Sequence, residues 1–139
     1  MRIQSRIGPA AALLAMTFVA AVAVADDAPR MVVEIFRVAP GRHAEFLRFV
    51  DAWDRANIEA GIPPRQLFVH QNGADWDFLL LQPAELTDEQ DAKLTAAVER
   101  LGLPRGGKYF LAIREFIAWH SDTTVEGPTT AADWLRKLD

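Results

Sequence analysis

Phe78, Leu79, Leu80 and Leu81 follow one another with no polar residue between them. Successive side chains of an extended chain point to opposite faces. A strand over Trp76 to Gln82 is therefore apolar on both. An antiparallel sheet with one wet face alternates apolar and polar residues instead. Met31-Val32-Val33 repeats the feature near the start of the chain. Helices cover only one side of such a sheet, and a second copy of the same sheet is the simplest cover for the other. Each large apolar side chain left in water forgoes roughly 1.5–3 kcal/mol of burial. The competing arrangement has the C-terminal elements wrapping over the second face.

The surrounding pattern supplies the other elements. Met31 to Val38 reads as a strand, with Val33, Ile35 and Arg37 on one side and Val32, Glu34, Phe36 and Val38 on the other. Pro40-Gly41 stops it. Phe46, Leu47, Val50 and Trp53 recur at helical spacing within Arg42 to Glu59. Gly61 and Pro63-Pro64 end that helix. Gln66 to Gln71 reads as a second strand, joined to the Trp76–Gln82 strand by a turn at Asn72-Gly73-Ala74-Asp75. Thr87 and Gln90 form a capping box for a helix whose stripe is Leu94, Ala97, Val98 and Leu101, closed by Gly102. Tyr109, Phe110, Ile113, Phe116, Ile117 and His120 fit a further helix over Gly107 to His120. Ser121 to Val125 reads as the fourth strand, and Ala131 to Leu138 as a short last helix with Thr130 and Asp133 at capping spacing. The order β-α-β-β-α-(α)-β-(α) gives an α+β class with a ferredoxin-like sheet.

The N-terminus carries a different message. Arg2 and Arg6 precede a nearly unbroken apolar run from Pro9 to Ala25, and Ala23-Val24-Ala25 suits signal-peptidase cleavage before Asp26-Asp27. This predicts a cleavable secretory signal over 1–25 and a single domain over 26–139, periplasmic or secreted. The run is Ala-rich and short of the roughly twenty strongly apolar residues of a spanning helix. Cleavage removes two of the 15 basic residues and none of the 19 acidic ones, so 13 face 19 and the net charge becomes −6. That argues against nucleic acid and anionic membranes as partners. The chain has no Cys, so it relies on its core or its oligomer and has no cysteine nucleophile.

The stretch Val33 to Phe49, VEIFRVAPGRHAEFLRF, resembles the opening of many dimeric α/β-barrel proteins, including the NIPSNAP-like and antibiotic-biosynthesis-monooxygenase-like branches. The resemblance extends over residues 31 to 126. It implies two sheets closing into a barrel in a homodimer, with a pocket between each sheet and its helices. Members include cofactor-free oxygenases, isomerases, haem-degrading enzymes and chlorite dismutase-like haem proteins. The tryptophan- and arginine-rich signatures of the NIPSNAP type have no counterpart here.

Three histidines are candidates for chemistry. Alternation puts His70 on the face of Phe68, as a base or ligand contact. His43, in the first turn of the first helix, lines up with Phe46, Leu47 and Val50 and points inward, a position for ligand, iron or haem. His120 and Asp122 share a face of an extended segment, so the carboxylate can orient the imidazole as a base. Trp76, Phe68, Tyr109 and Phe110 make a candidate lining for a hydrophobic or aromatic ligand. Ordinary packing or hydrogen bonding accounts for each of these residues as well. The spacing of His43, His70 and His120 matches no metal motif, and no cofactor is required, haem through a lone His being the exception considered. Arg105-Gly106-Gly107-Lys108 has the look of an anion cradle before a helix. It lacks P-loop spacing and reads as a flexible link. The expectation is an exported small-molecule-binding protein, with cofactor-free oxygenation or isomerisation as its chemistry. Haem or iron handling on the same fold is the first alternative, and a non-catalytic assembly module the second.

Overall fold

A computed structural model describes residues 28–138. The expected signal over 1–25 lies outside the described residues. Four strands, β1 (Arg30–Val38), β2 (Gln66–Val69), β3 (Phe78–Pro83) and β4 (Ile117–Glu126), form one antiparallel sheet in the order β2-β3-β1-β4. Helices α1 (His43–Glu59), α2 (Asp88–Arg100), α3 (Gly107–Arg114) and α4 (Ala131–Arg136) complete the chain. The architecture is α+β and ferredoxin-like, as the element order predicts.

Local signals act where they were expected. Thr87 and Gln90 close a reciprocal capping box on α2, and Thr130 Oγ1 accepts from the Asp133 amide at 3.1 Å to start α4. Gly102, at φ 64°, turns the chain out of α2 in a conformation other residues avoid. Phe36, Val38, Phe46, Val50, Phe78, Leu80 and Ile113 form the main core between sheet and helices. Ala56, Ala97 and Val98 make a second cluster, whose small alanines let α1 and α2 approach closely.

The helix predicted over Gly107–His120 is corrected by the structure. α3 ends at Arg114, and β4 already begins at Ile117. The pairings Val38↔Ile117 and Arg37↔Trp119 leave Ala118 as an extra residue, a β-bulge. A bulge shifts the phase of alternation by one residue. Ile117 and His120, three apart, therefore both face the helices: Ile117 packs on the core and the His120 ring stacks on Phe36 at 6.0 Å. A bulged strand following a helix on the same core mimics helical spacing. The hairpin differs too. β2 stops at Val69 and β3 starts at Phe78, so residues 70–77 form a loop rather than a four-residue turn.

The two faces of the sheet differ as Phe78–Leu81 requires. Phe36, Phe78 and Leu80 are nearly completely buried under the helices. Phe68, Leu79 and Ile35 pair in one row across β2, β3 and β1 on the opposite face. Met31, Val33 and Leu81 lie on that face as well. So do the exposed Trp119 and Val125, opposite Arg37 and Met31. Trp134, Leu135 and Leu138 in the C-terminal segment are themselves exposed, so that segment does not roof the open face.

Candidate functional site

A cavity of about 390 Å³ opens between the sheet and the helices. α1 contributes Trp53 and Asn57, and α2 contributes Leu94 and Val98. Each pair is four residues apart and so shares one helix face. Tyr109 and Phe110 of α3 close a third side, with Gln82 of β3 and Arg65 on the chain entering β2. Trp53 and Tyr109 meet edge to face, ring centroids 5.1 Å apart. The Trp53 indole N–H is buried without an acceptor among the described residues.

Arg65 fixes the polar wall. Its side chain is only 6% exposed. Nε donates to Asp54 Oδ1 at 3.0 Å, and a terminal nitrogen donates to the Val50 carbonyl at 3.3 Å. These bonds tie the chain before β2 to α1, and the partly buried Asp54 compensates the buried guanidinium.

Glu34 stands on the helix side of β1, flanked by Leu80 and Asp122 in the strand pairing. Its Oε2 accepts from Gln82 Nε2 at 2.9 Å, so one side chain both lines the cavity and holds the carboxylate. Burial pushes the Glu34 carboxyl above the ordinary glutamate range. The charge of Asp122 adds to the rise, while Arg65 and His120 oppose it. Burial likewise raises the Tyr109 hydroxyl, with the Glu34 charge as a lesser cause. A carboxyl that keeps its proton more readily than usual, beside an apolar slot, is suited to moving a proton.

The residues singled out from sequence divide sharply. Tyr109 and Phe110 line the cavity. Phe68 does not: it lies on the open face of the sheet, 48% exposed, across the strands from Tyr109's packing. Trp76 packs on His70 in the 70–77 loop, centroids 4.9 Å apart. The expected lining by Trp76, Phe68, Tyr109 and Phe110 together is thus not assembled. His70 falls just past the end of β2, where its Nε2 accepts from the Ala74 amide at 3.1 Å and its own amide donates to the Asp77 carbonyl. It closes the loop. His43 is half-exposed: its ring meets the buried Phe78 edge-on, centroids 6.2 Å apart, and its Nε2 lies 3.3 Å from Asp77 Oδ1, away from the cavity. Asp77 Oδ2 in turn accepts from the Val38 amide at 2.7 Å, so this cluster pins the start of α1 to the sheet. His120 and Asp122 do share a face, their Nε2 and Oδ2 3.7 Å apart. They sit within β4, on the same side as Glu34, rather than at a helix-to-strand junction.

Sequence reasoning missed Glu34, Arg65, Trp53, Asn57 and Gln82. Two of them left a signal: Trp53 as an aromatic residue on the stripe of the first helix, and Glu34 as a lone carboxylate on the face of β1 that also carries Val32, Phe36 and Val38. None of the three histidines lines the cavity, so these residues do not fit a haem held there through an axial His. No group of three or more His, Asp or Glu among the described residues is placed to hold a metal ion. No helix among them is long and apolar enough to cross a membrane.

No protein-family model and no curated protein matches the chain. Solved structures do. A NIPSNAP family protein from Agrobacterium tumefaciens is 16% identical, with 77% of this chain and 92% of that one covered and a TM-score of 0.47. A NIPSNAP domain protein from Burkholderia xenovorans is 13% identical, with 73% and 96% covered and a TM-score of 0.45. A dimeric ferredoxin-like protein from an uncultured marine organism is 11% identical, with 76% and 92% covered and a TM-score of 0.45.

Proposed function

We propose that the protein is an exported homodimer that binds a small, largely apolar molecule in the cavity between its sheet and helices. The observation that carries the reading is the cavity itself. Its volume lies in the range of small-molecule sites, and its walls combine aromatic and aliphatic side chains with a few fixed polar groups. The dimer rests on the open sheet face. Strands of 9, 4, 6 and 10 residues, spaced about 4.8 Å apart with a rise of about 3.3 Å per residue, present about 460 Å² of projected surface per copy, so a two-fold contact covers about 900 Å², near the lower end of specific interfaces. Export rests on the N-terminal sequence.

Glu34 favours chemistry in addition to binding. Hydrogen-bonded by a cavity residue and inclined to stay protonated, it is better placed than His70 to act as an acid or base in an isomerisation. Mass spectrometry of molecules released from the purified protein tests the binding reading. An apolar or aromatic compound should be present in the wild type and absent from Thr95→Phe, which fills the cavity. Recovery of no compound, together with no rise in melting temperature across a panel of small aromatics, would overturn it.

A further inference from the structure

We infer that the cavity selects carboxylate-bearing aromatic or aliphatic molecules, with Arg105 at its edge receiving the carboxylate. This rests on the small-molecule reading above and narrows the ligand to a chemical class.

The argument is one of charge placement. The domain after cleavage is acidic, with 19 carboxylate residues against 13 cations. None of the residues lining the cavity is acidic, yet two are arginines. Such a reversal of the overall balance confined to one concave site is what recognition of an anion requires. The two arginines are not equivalent. Arg65 is committed to Asp54. Arg105 forms no ion pair among the described residues. The one hydrogen bond of its side chain among the described residues is a long 3.5 Å contact to Thr95 Oγ1. Its planar fork is therefore available for two parallel bonds to a carboxylate.

The backbone supports that position. Gly106, at φ 52°, lets the chain turn directly from Arg105 into α3. No acidic residue occupies the first turn of that helix, so nothing there competes for the guanidinium. The apolar body of the ligand would then lie along Trp53, Leu94, Val98 and Tyr109. The carboxylate at Arg105 and the raised carboxyl of Glu34 behind Gln82 give the ligand a fixed direction, anionic end outward. The Arg105-Gly106-Gly107-Lys108 stretch is accordingly more than a link between helices.

Calorimetric titration of the purified protein with 2-naphthoate and with its neutral isostere 2-naphthamide tests this. The wild type should bind the carboxylate about tenfold more tightly, the advantage of a charge-assisted pair at a partly exposed site. That preference should shrink as salt is raised. Arg105→Gln should abolish the preference by weakening naphthoate alone, with naphthamide affinity unchanged. Equal binding of both probes by the wild type, with Thr95→Phe abolishing both, would overturn the charge inference while the cavity reading stands. A preference that survives in Arg105→Gln would overturn the role of Arg105. Binding of neither probe would overturn the cavity reading and this inference together.

Discussion

Phe68→Ala is the sharpest probe of the uncovered sheet face. Phe68 is 48% exposed in the single chain, and an aromatic side chain offers about 200 Å² for burial. A partner sheet would therefore remove about 100 Å² of its surface from water, or about 2.5 kcal/mol at 25 cal/mol per Å². A two-fold interface counts each substitution twice, so truncation should cost about 5 kcal/mol of dimer stability at most. Part of the area is retained by alanine, and area converts to affinity incompletely. The expected result is a dimer dissociation constant weakened by two to three orders of magnitude, read by sedimentation velocity over a dilution series. Thermal unfolding of the separated chain should fall less than dimer stability, because Phe68 lies outside both core clusters and is only half covered within one chain. A wild-type chain that is monomeric throughout, or a variant that dimerises as well as wild type, refutes the reasoning.

Asp54→Ala should destabilise the domain by about 3 kcal/mol, because it strands the buried Arg65 guanidinium without its counter-ion. Adding Arg65→Met should recover most of that loss, and urea unfolding of the two variants checks both figures. Glu34→Gln should stabilise the domain at neutral pH. The folded Glu34 carboxyl titrates above its unfolded value, so the native state binds the proton more tightly. Stability contributed by the protonated form is fully present below the unfolded pKa and is lost as pH rises through the folded one. The variant's higher melting temperature at pH 7 should thus vanish as the pH falls toward 4; a gap that is constant with pH would contradict the assignment.

The order of elements along the chain, the helix caps and the double-sided strand were legible because each depends on neighbours in sequence: Thr87 with Gln90, Gly102 after its helix, Leu79 beside Leu80. The α3–β4 boundary was not, because the bulge at Ala118 puts Ile117 and His120 on one face with the spacing of a helix turn. The site was half legible. Tyr109 and Phe110 announced themselves as aromatic residues on a helical stripe. Arg65 and Gln82 acquire meaning only through Asp54 and Glu34, 11 and 48 residues away along the chain, pairings that no local pattern encodes. Histidine drew attention for its titration range, but His43 and His70 brace backbone and loop, and that use carries no signature of its own.

The cavity walls are unequal in stiffness. α1 and α2 are locked together over Ala56 and Ala97, whereas α3 spans only Gly107–Arg114 and leaves Phe110 and Leu111 largely in water. Traffic in and out of the cavity should therefore pass beside the first turns of α3, where Phe110 and Leu111 are exposed, while Ile113 anchors the helix in the core. Residence time, unlike affinity, then becomes a property that substitutions at Gly107, just outside the lining, can tune.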